Sequence, residues 1–200
     1  MSNIPLPAAP GAKEHVSLAL VNSAVHLPGD KLADDLRSPE QATAWLIARG
    51  LVPEDTALLS YCQSQLTGLR RELRTVFQAQ VDGERPDSVA LDAINRALTR
   101  APSARLLRHT PSQGFHRVME DPVTQLVEHA MAIIAEDAAD LLSGEDAGRL
   151  TRCGAAPCDR FLIRTHARRH WCSTRCGDRV RAARAYARKQ EKRQEGVAAE

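Results

Sequence analysis

The chain has 200 residues, 43% of them hydrophobic and only 4% aromatic, with a formal net charge of +2. That length allows one domain or two small ones, and any core must be built from Leu, Val, Ile and Ala. No apolar run approaches the roughly 20 residues that span a bilayer, so no membrane partner is expected. The opening Met1-Ser2-Asn3-Ile4-Pro5-Leu6-Pro7 has neither the basic nor the apolar region of a secretory signal, which points to a cytoplasmic protein. Charge is unevenly spread. Residues 151–200 hold 13 Lys and Arg against 5 Asp and Glu, whereas residues 1–150 hold 14 against 20. An acidic body with a basic end suggests a polyanionic partner such as nucleic acid.

In chain order, residues 1–13 are rich in Pro and Ala and are expected to form a disordered leader. A first helix is expected over His15–Val25, and Pro28-Gly29 breaks the chain. Ser38-Pro39-Glu40-Gln41 has the form of a helix start, with Ser38 as cap and Pro39 at the first helical position. That helix carries Trp45, Leu46 and Ile47 and stops near Gly50. Leu58, Cys62, Leu66, Leu69, Leu73, Val76 and Phe77 recur mostly at spacings of three and four, which predicts a long amphipathic helix from about Pro53 to Gln80. Asp87 or Ser88 can cap the next helix, which buries Leu91, Ile94 and Leu98. Two short runs, Ala104–His109 and Phe115–Met119, flank Thr110-Pro111-Ser112-Gln113-Gly114 and read as a β-hairpin. A further helix is expected from about Pro122 to Leu142, and residues 143–151 read as a linker.

The most informative stretch follows. Cys153-x4-Cys158-x13-Cys172-x3-Cys176 is two close cysteine pairs separated by a loop, the pattern of a tetrahedral metal site. Phe161-Leu162-Ile163 and His170-Trp171 could form a short hairpin between the pairs. Ser173 or Thr174 can cap a helix that places Cys176 in its first turn. The reading is a structural Zn2+ held by Cys153, Cys158, Cys172 and Cys176. Two disulfides, an iron–sulfur cluster and four unconnected thiols are the alternatives, and His166 or His170 could replace one cysteine. Zinc binding in such peptides is worth on the order of 10–16 kcal/mol, which would stabilise a segment with little core of its own. A closed thiolate shell leaves no open position for catalysis. The fifth cysteine, Cys62, reads as a small buried apolar residue.

Residues 174–193 form a basic helix in which Arg181, Arg184 and Arg188 share one face, with Val180, Ala183 and Ala187 on another. No P-loop, Gly-x-Gly-x-x-Gly, Gly-x-Ser-x-Gly or His-Glu-x-x-His motif is present, so no enzyme is expected.

The run Cys153…Cys158…Phe161…Arg168-Arg169-His170-Trp171-Cys172-Ser173…Cys176-Gly177-Asp178-Arg179 resembles the CGNR zinc finger, with Asp178 where the signature has Asn. Leu18-Ala19-Leu20-Val21-Asn22-Ser23, followed by Trp45-Leu46 and Gly50-Leu51, resembles the ABATE domain that precedes that finger. The resemblance implies a bacterial, stress-linked transcription regulator whose finger binds DNA. The expected architecture is mainly α: a disordered leader (1–13), a helical module with one β-hairpin (14–145), and a small four-cysteine finger with hairpin and basic helix (150–194). Arg168, Arg169, Arg179, Arg181, Arg184 and Arg188 are the expected DNA contacts, chiefly to phosphate. The helical module would sense a small-molecule or protein signal, or form a homodimer. The competing readings are a protein- or RNA-binding finger, and a ligand pocket in the helical module lined by His109, His116 or Asn22.

Overall fold

The computed structural model describes residues 7–100, 105–119 and 125–197. The chain forms α1 (Val16–Val21), β1 (Ala24–Leu27), β2 (Lys31–Asp34), α2 (Pro39–Ile47), α3 (Ser60–Asp82), α4 (Ser88–Arg100), β3 (Arg105–Thr110), β4 (Gly114–Met119), α5 (Leu126–Ser143), a 3-10 turn (Ala147–Arg149), β5 (Leu150–Arg152), β6 (Phe161–Ile163) and α6 (Thr174–Val197). The expectation of a mainly α fold holds. The strands make three separate antiparallel pairs: β1 with β2, β3 with β4, and β5 with β6.

Helix boundaries follow local chemistry where a side chain caps them. The Ser38 hydroxyl accepts the Gln41 N–H at 3.3 Å, and Pro39 opens α2 as expected. Asp87, rather than Ser88, caps α4 by accepting the Val89 and Ala90 N–H groups at 2.7 and 3.1 Å. Helix α3 ends at Gly83, whose φ of 69° is the left-handed conformation that glycine adopts at low cost. Leu66, Leu69, Leu73, Val76 and Phe77 of α3 are buried as their spacing requires. They pack with Ala130, Ile134, Ala138 and Leu141 of α5, Ile94 and Ala97 of α4, and Leu18, Leu20 and Val21 of α1.

Several boundaries differ from the sequence reading. The helix expected from His15 to Val25 stops at Val21, because Asn22 faces strand β6. The Asn22 amide donates to the Phe161 carbonyl and accepts the Phe161 N–H, both at 2.8 Å. The chain then turns into a hairpin that no long alternating run announces; its strands have four residues each, and Gly29 and Asp30 take positive φ in the turn. Helix α3 begins at Ser60 rather than Pro53, since the preceding segment is tied to α2 by the Leu58 N–H on the Thr43 hydroxyl, 3.1 Å. Of the leader expected to be disordered, residues 1–6 lie outside the described residues. Residues 7–13 instead pack on the C-terminal segment. Ala9 is buried, the Pro10 carbonyl accepts the Ile163 N–H at 3.0 Å, and the Pro7 carbonyl accepts from Arg160 at 2.8 Å.

The finger does not stand apart. Leu150, Phe161 and Ile163 belong to the same core as α1, α3 and α5. Phe161 meets Phe77 edge to face, ring centroids 5.9 Å apart. Arg74 of α3 donates to the Val21 carbonyl and to the Asp159 carboxylate, at 2.6 and 2.8 Å. Asp159 also accepts the His26 N–H at 3.0 Å. No helix among the described residues is long and apolar enough to cross a membrane.

A second ion pair pins β2 to α3: Arg70 grips Asp34 through two hydrogen bonds of 2.7 and 3.0 Å and also donates to the Ser23 hydroxyl. Burial alone would raise the Asp34 pKa; Arg70 and the Leu36 N–H outweigh it and hold the carboxyl below its ordinary 3.8. The pair therefore stabilises the fold fully above pH 5, and its contribution fades as pH falls through the depressed folded-state value. Asp34→Asn should cost about 2 kcal/mol at neutral pH. In urea unfolding series at several pH values, the gap between wild type and variant should narrow below pH 4.

Candidate metal centre and its basic helix

The four cysteines converge from three places. Cys153 follows β5, Cys158 ends the first knuckle just before β6, Cys172 precedes α6, and Cys176 lies in its first turn. All four are buried. Their Sγ atoms lie within 4.8 Å of one another. Cys172 Sγ is 3.7 Å from both Cys158 Sγ and Cys176 Sγ. A tetrahedron with metal–sulfur bonds of about 2.3 Å has edges of about 3.8 Å, so the sulfurs already stand at ligand spacing. A disulfide bond of about 2.05 Å is far shorter, and all four cysteines are free. The residues fit a divalent ion in an all-thiolate shell, and the group forms a metal-binding site. The two histidines offered as substitutes, His166 and His170, are exposed and stand outside the sulfur cluster.

Backbone bonds set this convergence. The Cys153 N–H donates to the Arg160 carbonyl at 2.8 Å, and the Cys158 N–H to the Ala155 carbonyl at 2.9 Å, closing the first knuckle. The Gly154 N–H reaches the His170 carbonyl at 2.9 Å and ties the first knuckle to the second. The Cys172 N–H points at Cys153 Sγ, 3.4 Å. Ser173 caps α6, its hydroxyl accepting the Cys176 N–H at 3.3 Å, as the sequence reading allowed. The pairing of the finger strands differs from expectation. Phe161–Ile163 pairs with Leu150–Arg152, whereas His170-Trp171 forms no strand.

The crowded sulfurs cannot all ionise by themselves. Hydrogen bonds from the Cys158 and Cys172 thiols hold Cys153 as a thiolate, far below its ordinary value, at about 2. The same contact with Cys153 pushes Cys158 and Cys172 upward, Cys172 to about 11. A cation changes that balance by taking the protons' place. A divalent ion with four thiolates carries a formal charge of −2. Two guanidinium groups stand beside it: Arg160 is 3.8 Å from Cys172 Sγ, and Arg179 is 3.8 Å from Cys176 Sγ.

Arg160, which the sequence alone did not single out, stands beside the sulfur cluster. It is only 5% exposed. One signal for it exists: in an extended chain, residues two apart share a side, so Cys158 and Arg160 turn toward the sulfur cluster while Asp159 turns toward Arg74. Arg179 was expected at the DNA surface. It is half-buried, and its guanidinium donates to the Ala155 carbonyl at 2.5 Å, bracing the first knuckle from α6.

The remaining expected DNA contacts are placed as follows. Arg168 is exposed on the loop between the knuckles and Arg169 is half-buried there. Arg181, Arg184 and Arg188 are exposed along α6. Arg181 lies over the Trp171 ring, 5.6 Å from its centroid, and pairs with Asp178 at 2.5 Å. Gly177 makes room for this stack, since a Cβ there would sit 3.0 Å from Trp171. Val180 packs against the finger. Ala183 and Ala187 do not, and residues 181–189 are all exposed. The helix therefore leaves the finger within two turns.

The pocket reading finds no support at the residues it named. His109 is exposed, His116 is half-buried on the same hairpin with its Nδ1 3.0 Å from the Gly114 carbonyl, and Asn22 is fully engaged with Phe161. Cys62 is half-buried at the edge of the core, close to its expected role.

A helical body carrying a four-cysteine metal-binding finger and an exposed basic helix has the build of a zinc-finger protein. Residues 14–145 match the ABATE family, described as putative stress-induced transcription regulators, and residues 149–189 match the CGNR zinc finger. The chain belongs to the ABATE family and bears a CGNR finger. Comparison with curated proteins gives no match. In this chain the Cys-Gly-x-Arg signature has a physical reading. Cys176 supplies one of the four clustered sulfurs, Gly177 admits Trp171, and Arg179 braces the knuckle beside them.

Because β5 and β6 are anchored in the main core, metal removal should loosen only part of the finger. Under a strong chelator, hydrogen exchange should accelerate at residues 153–158 and 170–180. Leu162 and the helices α3 and α5 should stay protected.

Proposed function

We propose that the protein is a Zn2+-dependent transcription regulator that binds duplex DNA through the finger and α6. The observation that carries this reading is the placement of Arg184 and Arg188. Both are exposed on a helix of 24 residues that begins at two of the metal ligands. Its base is held by Cys172 and Cys176, so the metal fixes the direction in which the arginines are presented.

Zinc is the ion best suited to four thiolates at these spacings in a closed shell. It would supply structural rigidity only, since no ligand position is left for water. With Arg179 committed to the knuckle, the phosphate-facing set reduces to Arg168, Arg181, Arg184 and Arg188, with Arg169 at its margin. These contacts would give affinity and little sequence choice. The helical module would then carry the signal. Arg74, Asp159 and the Asn22–Phe161 pair link it directly to the first knuckle, so a shift in α1 or α3 reaches the finger without passing through solvent.

Purified protein should contain one zinc per chain by elemental analysis. Fluorescence anisotropy on a random 20-base-pair duplex should show binding that weakens with salt. Arg184→Ala should reduce the slope of log K against log[salt] by about 0.9, the value for one phosphate neutralised. Absence of binding at low salt would refute the proposal. Asp178 is exposed and neutralises Arg181. Asp178→Asn should therefore strengthen duplex binding severalfold at low salt, with no change in zinc content.

A further inference from the structure

Among the described side chains of the β3–β4 hairpin, residues 107–117, none joins either hydrophobic core. Its register sets Leu107 opposite Arg117 and His109 opposite Phe115. Directly opposed residues share a face, so these four side chains form one surface of the ribbon. All four are exposed, Leu107 at 68% and Phe115 at 76%. His109 and Phe115 touch, with ring centroids 4.8 Å apart. Exposed side chains of that size, gathered on one face of a two-stranded ribbon, mark an interaction surface.

Charge selects the partner. Residues 105–119 contain three arginines and two histidines and no aspartate or glutamate, within an N-terminal region that is otherwise acidic. Pairing with the same ribbon of a second copy would bring two sets of like charges to strand spacing, which is unfavourable. A polyanion is complementary to it. Each strand has six residues, about 20 Å of extended chain. A two-stranded ribbon is one of the two elements that a DNA major groove admits.

We infer that the β3–β4 ribbon is a second DNA-contacting arm, in which Arg117 meets phosphate while Leu107 and Phe115 press on base edges or sugars. This rests on the DNA-binding reading of the finger and adds an independent surface on the helical module. Two contacts on separate elements would raise the affinity of each through the other's effective concentration.

The test uses full-length, zinc-loaded protein on a random 20-base-pair duplex, with Arg117→Ala and Phe115→Ser compared against Arg184→Ala. Both ribbon positions are exposed, and circular dichroism with zinc content verifies the fold of each variant. Arg117→Ala should flatten the salt slope by about 0.9. Phe115→Ser should weaken binding about tenfold and leave the slope unchanged. If both ribbon variants bind like wild type while Arg184→Ala is impaired, the arm is refuted and the finger reading stands. If wild type does not bind at low salt, both fall. If Phe115→Ser instead alters sedimentation mass and leaves DNA affinity intact, the surface belongs to a second copy and the arm is refuted.

Discussion

Four buried sulfurs within 4.8 Å of one another form an arrangement that only a cation can make stable as four thiolates. Without one the charge is shared unevenly, the Cys153 thiol being held far below its ordinary value by hydrogen bonds from the Cys158 and Cys172 thiols. A divalent ion satisfies all four at once, and the two guanidinium groups of Arg160 and Arg179 offset the charge that remains. Each guanidinium also fastens a backbone carbonyl, Pro7 for Arg160 and Ala155 for Arg179. The same electrostatic demand thus draws in the N-terminal segment from one side and the start of α6 from the other. Placing a charge without such partners in this position would cost several kcal/mol.

The finger's strands are not its own, so its dependence on a metal is expected to be partial. Leu150, Phe161 and Ile163 complete the core of the helical module, and Asn22 satisfies both backbone groups of Phe161 as a neighbouring strand would. A segment of about 50 residues seldom supports itself by burial alone. Here it borrows one side of its core from α1, α3 and α5, and an ion would chiefly stabilise the other side, where the knuckles and the first turn of α6 meet. That division gives the protein a mechanical connection between its helical body and its finger. The helices that would respond to a signal and the helix that would meet DNA are joined through β6, with Arg74 and Asp159 as the polar clasp.

The basic residues of the chain are segregated by surroundings. Arg70 and Arg74 are turned inward to acids and carbonyls and hold the fold. Arg160 and Arg179 serve the sulfurs. Arg184, Arg188 and Arg117 are exposed. A formal charge near zero conceals this separation, and a high arginine content alone does not distinguish a structural guanidinium from a free one.

The sequence by itself determined what depends on neighbours along the chain. The cysteine spacing picked out all four sulfurs that cluster, because two close pairs separated by a loop can fold back on one another. The three- and four-residue rhythm of Leu66, Leu69, Leu73 and Phe77 marked the buried face of α3, and Ser38 and Ser173 marked two helix starts, because caps act within one turn. The tertiary structure decided what depends on groups far apart. The end of α1 at Val21 is imposed by Phe161, 139 residues from Asn22. The partner of β6 is β5 rather than His170-Trp171, because only β5 leads into the shared core. The order in residues 7–13 comes from Ile163 and Arg160, and the inward turn of Arg179 from a carbonyl on the opposite knuckle. A local pattern records which face a residue occupies; only the folded chain decides what that face meets.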